Sequence, residues 1–131
     1  MDGKMARPKA KELTERELEI MQIFWADGEA TATEVRDELE KDGRSLAYTT
    51  VATLIRILTE KNFLEQTTDE RPFRYKPTRS FEEVSGNMLG DLMQKVFGGS
   101  REQLLIRLLD QKKLTKKERD VLQEFLKGQG K

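Results

Sequence analysis

Apolar positions along this chain recur mostly at helical spacing, and in one short region they alternate. The stretch LAYTTVATLIRILTEKNFL, Leu46 to Leu64, places Val51, Leu54, Ile55 and Leu58 on one helical face. Its start, with Tyr48, Thr49, Thr50 and Thr53, is uncharged and hydroxylated. Such a surface can approach a base edge, where Thr offers a hydroxyl and a methyl. An amphipathic core helix is the alternative for this stretch taken alone. Upstream, Thr14-Glu-Arg-Glu17 is a capping box with Leu13 and Leu18 at staple positions. It predicts a helix to about Trp25, with Leu18, Met21, Phe24 and Trp25 inward, ended by Asp27-Gly28. Trp25 reads as a core anchor. Thr31-Ala-Thr-Glu34 is a second box and opens a helix through about Glu40, with Val35 and Leu39 inward. Lys41-Asp-Gly-Arg44 is a turn. The helix from about Ala47 has no such box, so its first amides face either water or a phosphate oxygen.

Residues 63–67 and 73–77 alternate apolar and polar positions as two short strands around a loop at 68–72. Phe73 and Tyr75 share one face, and Arg74 and Lys76 the other. Three helices followed by such a hairpin predict a winged helix-turn-helix, with the hairpin as the wing.

A second module is expected from Ser80. Ser80-Phe-Glu-Glu83 reads as a box, followed by an apolar face of Phe81, Val84, Met88, Leu89, Leu92, Met93, Val96 and Phe97. Gly98-Gly99 breaks it. A helix opening at Ser100 carries Leu104, Leu105, Leu108 and Leu109. A last helix, boxed by Thr115 and Glu118, carries Val121, Leu122, Phe125 and Leu126 and ends at Gly128-Gln-Gly130. This is more apolar face than so small a unit hides alone. A second copy of the chain is the expected cover, through Leu89, Leu92, Met93, Leu104, Leu105, Leu108, Leu109, Leu122 and Phe125. Packing back onto the first module is the alternative. The expected organisation is therefore a flexible basic arm at 1–12, a winged helix at 13–79 and a helical dimerisation domain at 80–131.

Composition narrows the function. Charged residues make up 37% of the 131 positions and hydrophobic ones 36%, which suits solvated helices better than a large enzyme core. The chain has no Cys and no His, so thiolate metal sites and the commonest general base are missing, and no cofactor is expected. Paired acids such as Glu82-Glu83 do not converge on a helix, and Ser and Thr have no His partner; no enzyme is expected. No apolar run approaches the ~20 residues of a membrane span. The opening MDGKMARPKAKEL lacks the apolar core of a signal peptide, so a cytoplasmic location is expected.

The net charge of zero conceals an uneven distribution. Residues 1–11 carry +3, residues 12–42 carry −8 and residues 44–79 carry +3. Phosphate affinity follows the contacting face rather than the total. Arg44 precedes the candidate reading helix, Arg56 lies two turns into it, and Arg71 and Arg74 sit at the wing. Phosphate contact is the functional reading for the wing pair, with solvated charge as its alternative. Arg56 has a second option, a pair with Glu60 at i+4.

LTERELEIMQIFW, Tyr48-Thr-Thr-Val51, then Leu54, Leu58 and Lys61, and the FRYKP wing strand together resemble the penicillinase-repressor family over about residues 12–127. The resemblance implies a winged-helix repressor of β-lactamase or related genes, acting as a homodimer on palindromic operators. It implies that the third helix enters the major groove through Tyr48, Thr49, Thr50 and Thr53 while the wing meets the backbone at Arg71 and Arg74. Copper-responsive relatives carry a C-terminal cysteine motif, which this Cys-free chain lacks. A sensor protease cuts the family's members at an Asn-Phe bond in the helix after the Gly-Gly turn. Here that alignment reaches Arg107-Leu108, and residues 100–111 contain no Asn or Phe. Release is expected either by a peptidase of different specificity or by another signal. A winged-helix protein–protein module without sequence-specific DNA binding is the alternative function.

Overall fold

The computed structural model describes residues 13–111 and 114–129. The expected basic arm lies outside the described residues. Helix α1 spans Glu15–Asp27, strand β1 Ala30–Thr31, helix α2 Ala32–Lys41 and helix α3 Tyr48–Glu60. Strands β2 Leu64–Gln66 and β3 Arg74–Pro77 follow, then helices α4 Phe81–Phe97, α5 Arg101–Gln111 and α6 Lys116–Gln129.

The capping boxes set the starts. At α1, Thr14 Oγ1 accepts the Glu17 amide at 3.1 Å, and the Glu17 carboxylate accepts the Thr14 amide at 2.9 Å. Thr31 and Glu34 do the same for α2 at 3.1 and 3.0 Å, and Thr115 and Glu118 for α6 at 3.1 and 2.9 Å. The box expected at Ser80 is half formed. Ser80 Oγ accepts the Glu83 amide at 3.0 Å, but the Glu83 carboxylate pairs with the Arg79 guanidinium at 3.2 Å. Just past the Lys61 cap of α3, Asn62 has a left-handed φ of 69°, a conformation that Asn tolerates.

The expected hairpin forms: β2 and β3 pair antiparallel, with Glu65 opposite Lys76 and Gln66 opposite Tyr75. A third strand, not expected from the sequence, completes the sheet in the order β1-β3-β2. Thr31 faces Arg74 and Ala30 faces Tyr75. Two residues are too few to show an alternation, which is why β1 is illegible in the sequence.

Ile20, Met21, Phe24, Val35, Val51, Ile55, Leu58, Phe63 and Leu64 form one core beneath α1, α2, α3 and the hairpin. Trp25 and Leu18 are only half-buried, and Ile20 takes the deeper place on α1. Glu17 is buried as well, with its carboxylate 2.9 Å from Lys61 Nζ at the end of α3.

Two compact units are present, one through Ser85 and one from Gly86. The first turn of α4 belongs to the first unit. Val84 is buried in its core, and the Phe81 ring meets Trp25 edge-on with centroids 5.5 Å apart. Trp25 Nε1 also donates to the Arg79 carbonyl at 2.8 Å. The second unit holds the rest of α4 with α5 and α6. Gly98 and Gly99 join α4 to α5 with φ of 60° and 85°, where a side chain would be strained. No described side chain of this unit is fully buried.

Candidate nucleic-acid interface

Helix α3 presents two faces. Val51, Ile55 and Leu58 are buried, so the helical period turns Tyr48, Thr49 and Thr53 outward and leaves Thr50 half-exposed. The N-cap, Ala47, supplies no side-chain bond to the first amides, as the missing box implies. The exposed start of α3 is thus uncharged, short-branched and rich in hydroxyls, apart from the Tyr48 ring.

The wing lies beside it. The Thr67 amide donates to the Arg74 carbonyl at 2.7 Å, and the Arg74 amide to Thr68 Oγ1 at 3.0 Å. These bonds close the loop that carries Arg71. The Arg71 guanidinium lies over the Phe73 ring, 5.1 Å from its centroid. Tyr48, Arg71, Phe73, Tyr75 and Thr33 line a cleft of about 450 Å³ between α3, the wing and the start of α2. Burial pushes the Tyr75 hydroxyl above its ordinary range, with Tyr48 adding to the shift, so the Tyr75 phenol stays a protonated donor near neutral pH. A larger open groove of about 840 Å³, lined by Trp25, Pro77, Phe81 and the acids Glu29 and Glu82, offers no comparable hydroxyl set.

The other arginines expected at this surface are engaged by carboxylates. Arg44 bonds Glu19 at 3.0 Å, and Arg56 bonds Glu60 at 2.9 Å, the i+4 partner that the sequence suggests. Arg74 lies 3.4 Å from the Glu29 carboxylate and 3.7 Å from Glu34. Its strand alternation puts it opposite Phe73 and Tyr75, but β1 brings the two acids to that side. Among the described residues, Arg71 has no ion pair. The structure therefore brings Tyr48 and Arg71 to one cleft and leaves Thr49 and Thr53 exposed on the same helix, and it ties Arg44, Arg56 and Arg74 into the protein's own charge network. Glu29 is a side chain at this surface that sequence reasoning missed; its proximity to Arg74 comes through β1, which has no local signal.

In the second unit, Leu89, Leu92, Leu105, Leu108, Leu109, Leu122 and Phe125 are exposed, while Met93 and Leu104 are half-buried. Phe125 leaves 61% of its surface in solvent. Arg107 is exposed on α5 and lies 3.8 Å from Asp110. Among the described residues, no group of three or more His, Cys, Asp or Glu is placed to hold a metal. None of their helices is long and apolar enough to cross a membrane.

Residues 13–128 match the family model described as penicillinase repressor. The chain belongs to the penicillinase repressor family. Within reach of this family, the transcriptional regulator BlaI of Mycobacterium tuberculosis is 33% identical over 103 residues, 78% of this chain and 75% of that protein. The methicillin resistance regulatory protein MecI of Mammaliicoccus sciuri is 25% identical over 118 residues, 90% of this chain and 95% of its own length. The solution structure of the DNA-binding domain of the repressor BlaI superposes with a TM-score of 0.50 at 26% identity, covering 56% of this chain and 89% of that domain. H. salinarum RosR, at 18% identity and a TM-score of 0.51, covers 78% of this chain and 96% of its own and shares the fold. The winged helix expected from the order of elements is thereby borne out.

Proposed function

We propose that this chain is a bacterial transcriptional repressor that binds palindromic operator DNA as a homodimer, reading bases with the start of α3 and touching the backbone with the wing. The observation that carries this reading is the uncharged, exposed start of α3 at Tyr48, Thr49 and Thr53, with Arg71, which has no ion pair among the described residues, on the cleft that Tyr48 lines. A protein-binding hairpin does not need that combination; a duplex does, because bases are read by short polar groups and phosphates by cations. Similarity to the DNA-binding domain of BlaI favours DNA over a protein partner. Arg44 and Arg56 join the interface by exchanging a surface carboxylate for a phosphate, a small cost for exposed pairs.

The open leucine face of α4–α6 supports a two-fold dimer, since a second copy covers it and links two reading helices at half-site spacing. β-Lactamase or related genes are the regulated class that family membership favours, and a bacterial DNA-binding role puts the protein in the cytoplasm. Release follows either cutting in α5, near Arg107-Leu108, by a sensor peptidase, which the exposure of this helix favours, or another signal. No cofactor enters this scheme.

Fluorescence anisotropy tests the reading. Duplexes selected from the source genome and their scrambled versions are titrated at several salt concentrations. Salt-sensitive binding that prefers the selected duplexes is expected. Equal affinity for both sets would remove the repressor assignment.

A further inference from the structure

One acid outside the reading surface holds both strands of the wing. Glu29 lies just before β1. Its Oε2 accepts from the Thr67 hydroxyl at 2.6 Å and lies 3.4 Å from Arg74 Nε, and its backbone carbonyl accepts from Arg74 Nη2 at 3.3 Å. Thr67 follows β2 and Arg74 opens β3, so one side chain spans the mouth of the hairpin. Glu34 stands on the other side of the guanidinium at 3.7 Å, and its own position is fixed by the Thr31 capping box. Arg74 is thus enclosed by two carboxylates and a carbonyl. Two acids flank its single charge, so a phosphate brought to Arg74 must compete with carboxylates that already hold it. Arg71 lies over the Phe73 ring and, among the described residues, has no ion pair, so its guanidinium can meet an oxyanion without displacing a carboxylate.

We infer that Glu29 is a wing-positioning residue that withholds Arg74 from DNA, leaving Arg71 as the wing's phosphate-contacting cation. This rests on the DNA-binding reading above. It divides the two wing arginines by role. Arg71 grips the backbone, and Arg74 fixes the angle at which the wing presents that grip. Glu29 then acts as a restraint on affinity, because its removal frees a second cation at the same surface.

The slope of log affinity against log salt counts phosphate contacts, at about 0.9 for each. It is measured on the full chain with a mixed-sequence duplex about three helical turns long, since phosphate contacts do not depend on sequence. Arg71→Gln should flatten the slope by about 0.9 per bound protomer, and Arg74→Gln should leave it unchanged. Glu29→Gln should steepen it by up to about 0.9. The double variant of Glu29→Gln with Arg74→Gln should return to the wild-type slope, which separates release of Arg74 from a general change of charge. Equal flattening by Arg74→Gln and Arg71→Gln, or an unchanged slope in Glu29→Gln, overturns the proposal. Amide exchange of Thr67 in the DNA-free protein reads the clamp separately. It should accelerate in Glu29→Gln while the amides of α1 and α3 keep their protection. If the wild type shows no salt-dependent duplex binding, the DNA reading falls and the withholding role with it. The clamp is then decided by Thr67 exchange, and an exchange rate equal to wild type overturns it.

Discussion

Lys61 and Glu17, 44 positions apart in the chain, meet at 2.9 Å where the end of α3 crosses the start of α1. The same carboxylate closes the capping box with Thr14, so one buried side chain fixes both the first turn of α1 and the far end of the reading helix. Burial alone would raise the Glu17 carboxyl. The Lys61 ammonium and the Thr14 donors outweigh that and hold it below the ordinary glutamate range.

A depressed carboxylate contributes stability above its unfolded pKa, and that contribution disappears as pH falls through the folded value. The winged helix should therefore lose stability on acidification from about pH 4.3 downward. Glu17→Gln should be less stable near neutral pH and should show a shallower acid limb than wild type. Glu17→Ala, which also removes the return bond of the capping box, should cost about 2 kcal/mol at neutral pH. Urea denaturation at a series of pH values checks both. An acid limb in Glu17→Gln as steep as in wild type would show that this carboxyl is not a source of the pH dependence.

Base reading at α3 gives a sequence-dependent effect. Thr49→Ala should cost about 1–3 kcal/mol on the selected duplex and relax preference at one base step. Binding to a scrambled duplex should hardly change. Anisotropy titrations with single-base variants of the site make the comparison. Uniform weakening on every duplex would assign Thr49 to the backbone instead.

The leucine face of the second unit is tested on α6, where Leu122 is exposed. Leu122→Asp places a charge on α6 that each copy contributes once, so a two-fold contact meets it twice. The dimer should weaken at least tenfold, about 1.4 kcal/mol, while the thermal transition of the winged helix persists. Light scattering over a dilution series reads the mass. A dimer as tight as wild type would move the interface away from Leu122.

Release from DNA carries its own expectation. Protein recovered from β-lactam-treated source cells should show a break within residues 100–111 by mass spectrometry. The cut should follow local opening of α5, because a helical bond does not fit an extended peptidase cleft. An intact chain with the target genes switched on would eliminate cutting and leave another signal.

Much of the first unit is readable locally. Thr14 with Glu17 and Thr31 with Glu34 lie three residues apart, so both halves of each box are visible in one glance at the chain. Val51, Ile55 and Leu58 repeat at the helical period and are buried together. The hairpin shows in the alternation around Tyr75. What escaped comes from distant partners. Glu17 looks like one more surface acid until Lys61 arrives from the other end of α3, and Arg74 looks solvated until β1 delivers Glu29. Val84 belongs to the expected second module by its helix but is buried in the first unit's core. A helical period tells which face is apolar, not what the face packs against.

Trp25 is the chain's single tryptophan, and its indole is tied to the Arg79 carbonyl and the edge of Phe81. One intrinsic fluorophore on α1 thus sits against the first turn of α4. Its emission maximum and lifetime depend on that hydrogen bond and on the half-buried setting. An event that lifts the first turn of α4 off α1 would register as a red-shifted spectrum without any label. Operator capture, dimer loss and chain cutting in α5 can each be followed in real time by this optical signal, and only those that disturb the Trp25–Phe81 contact change its colour.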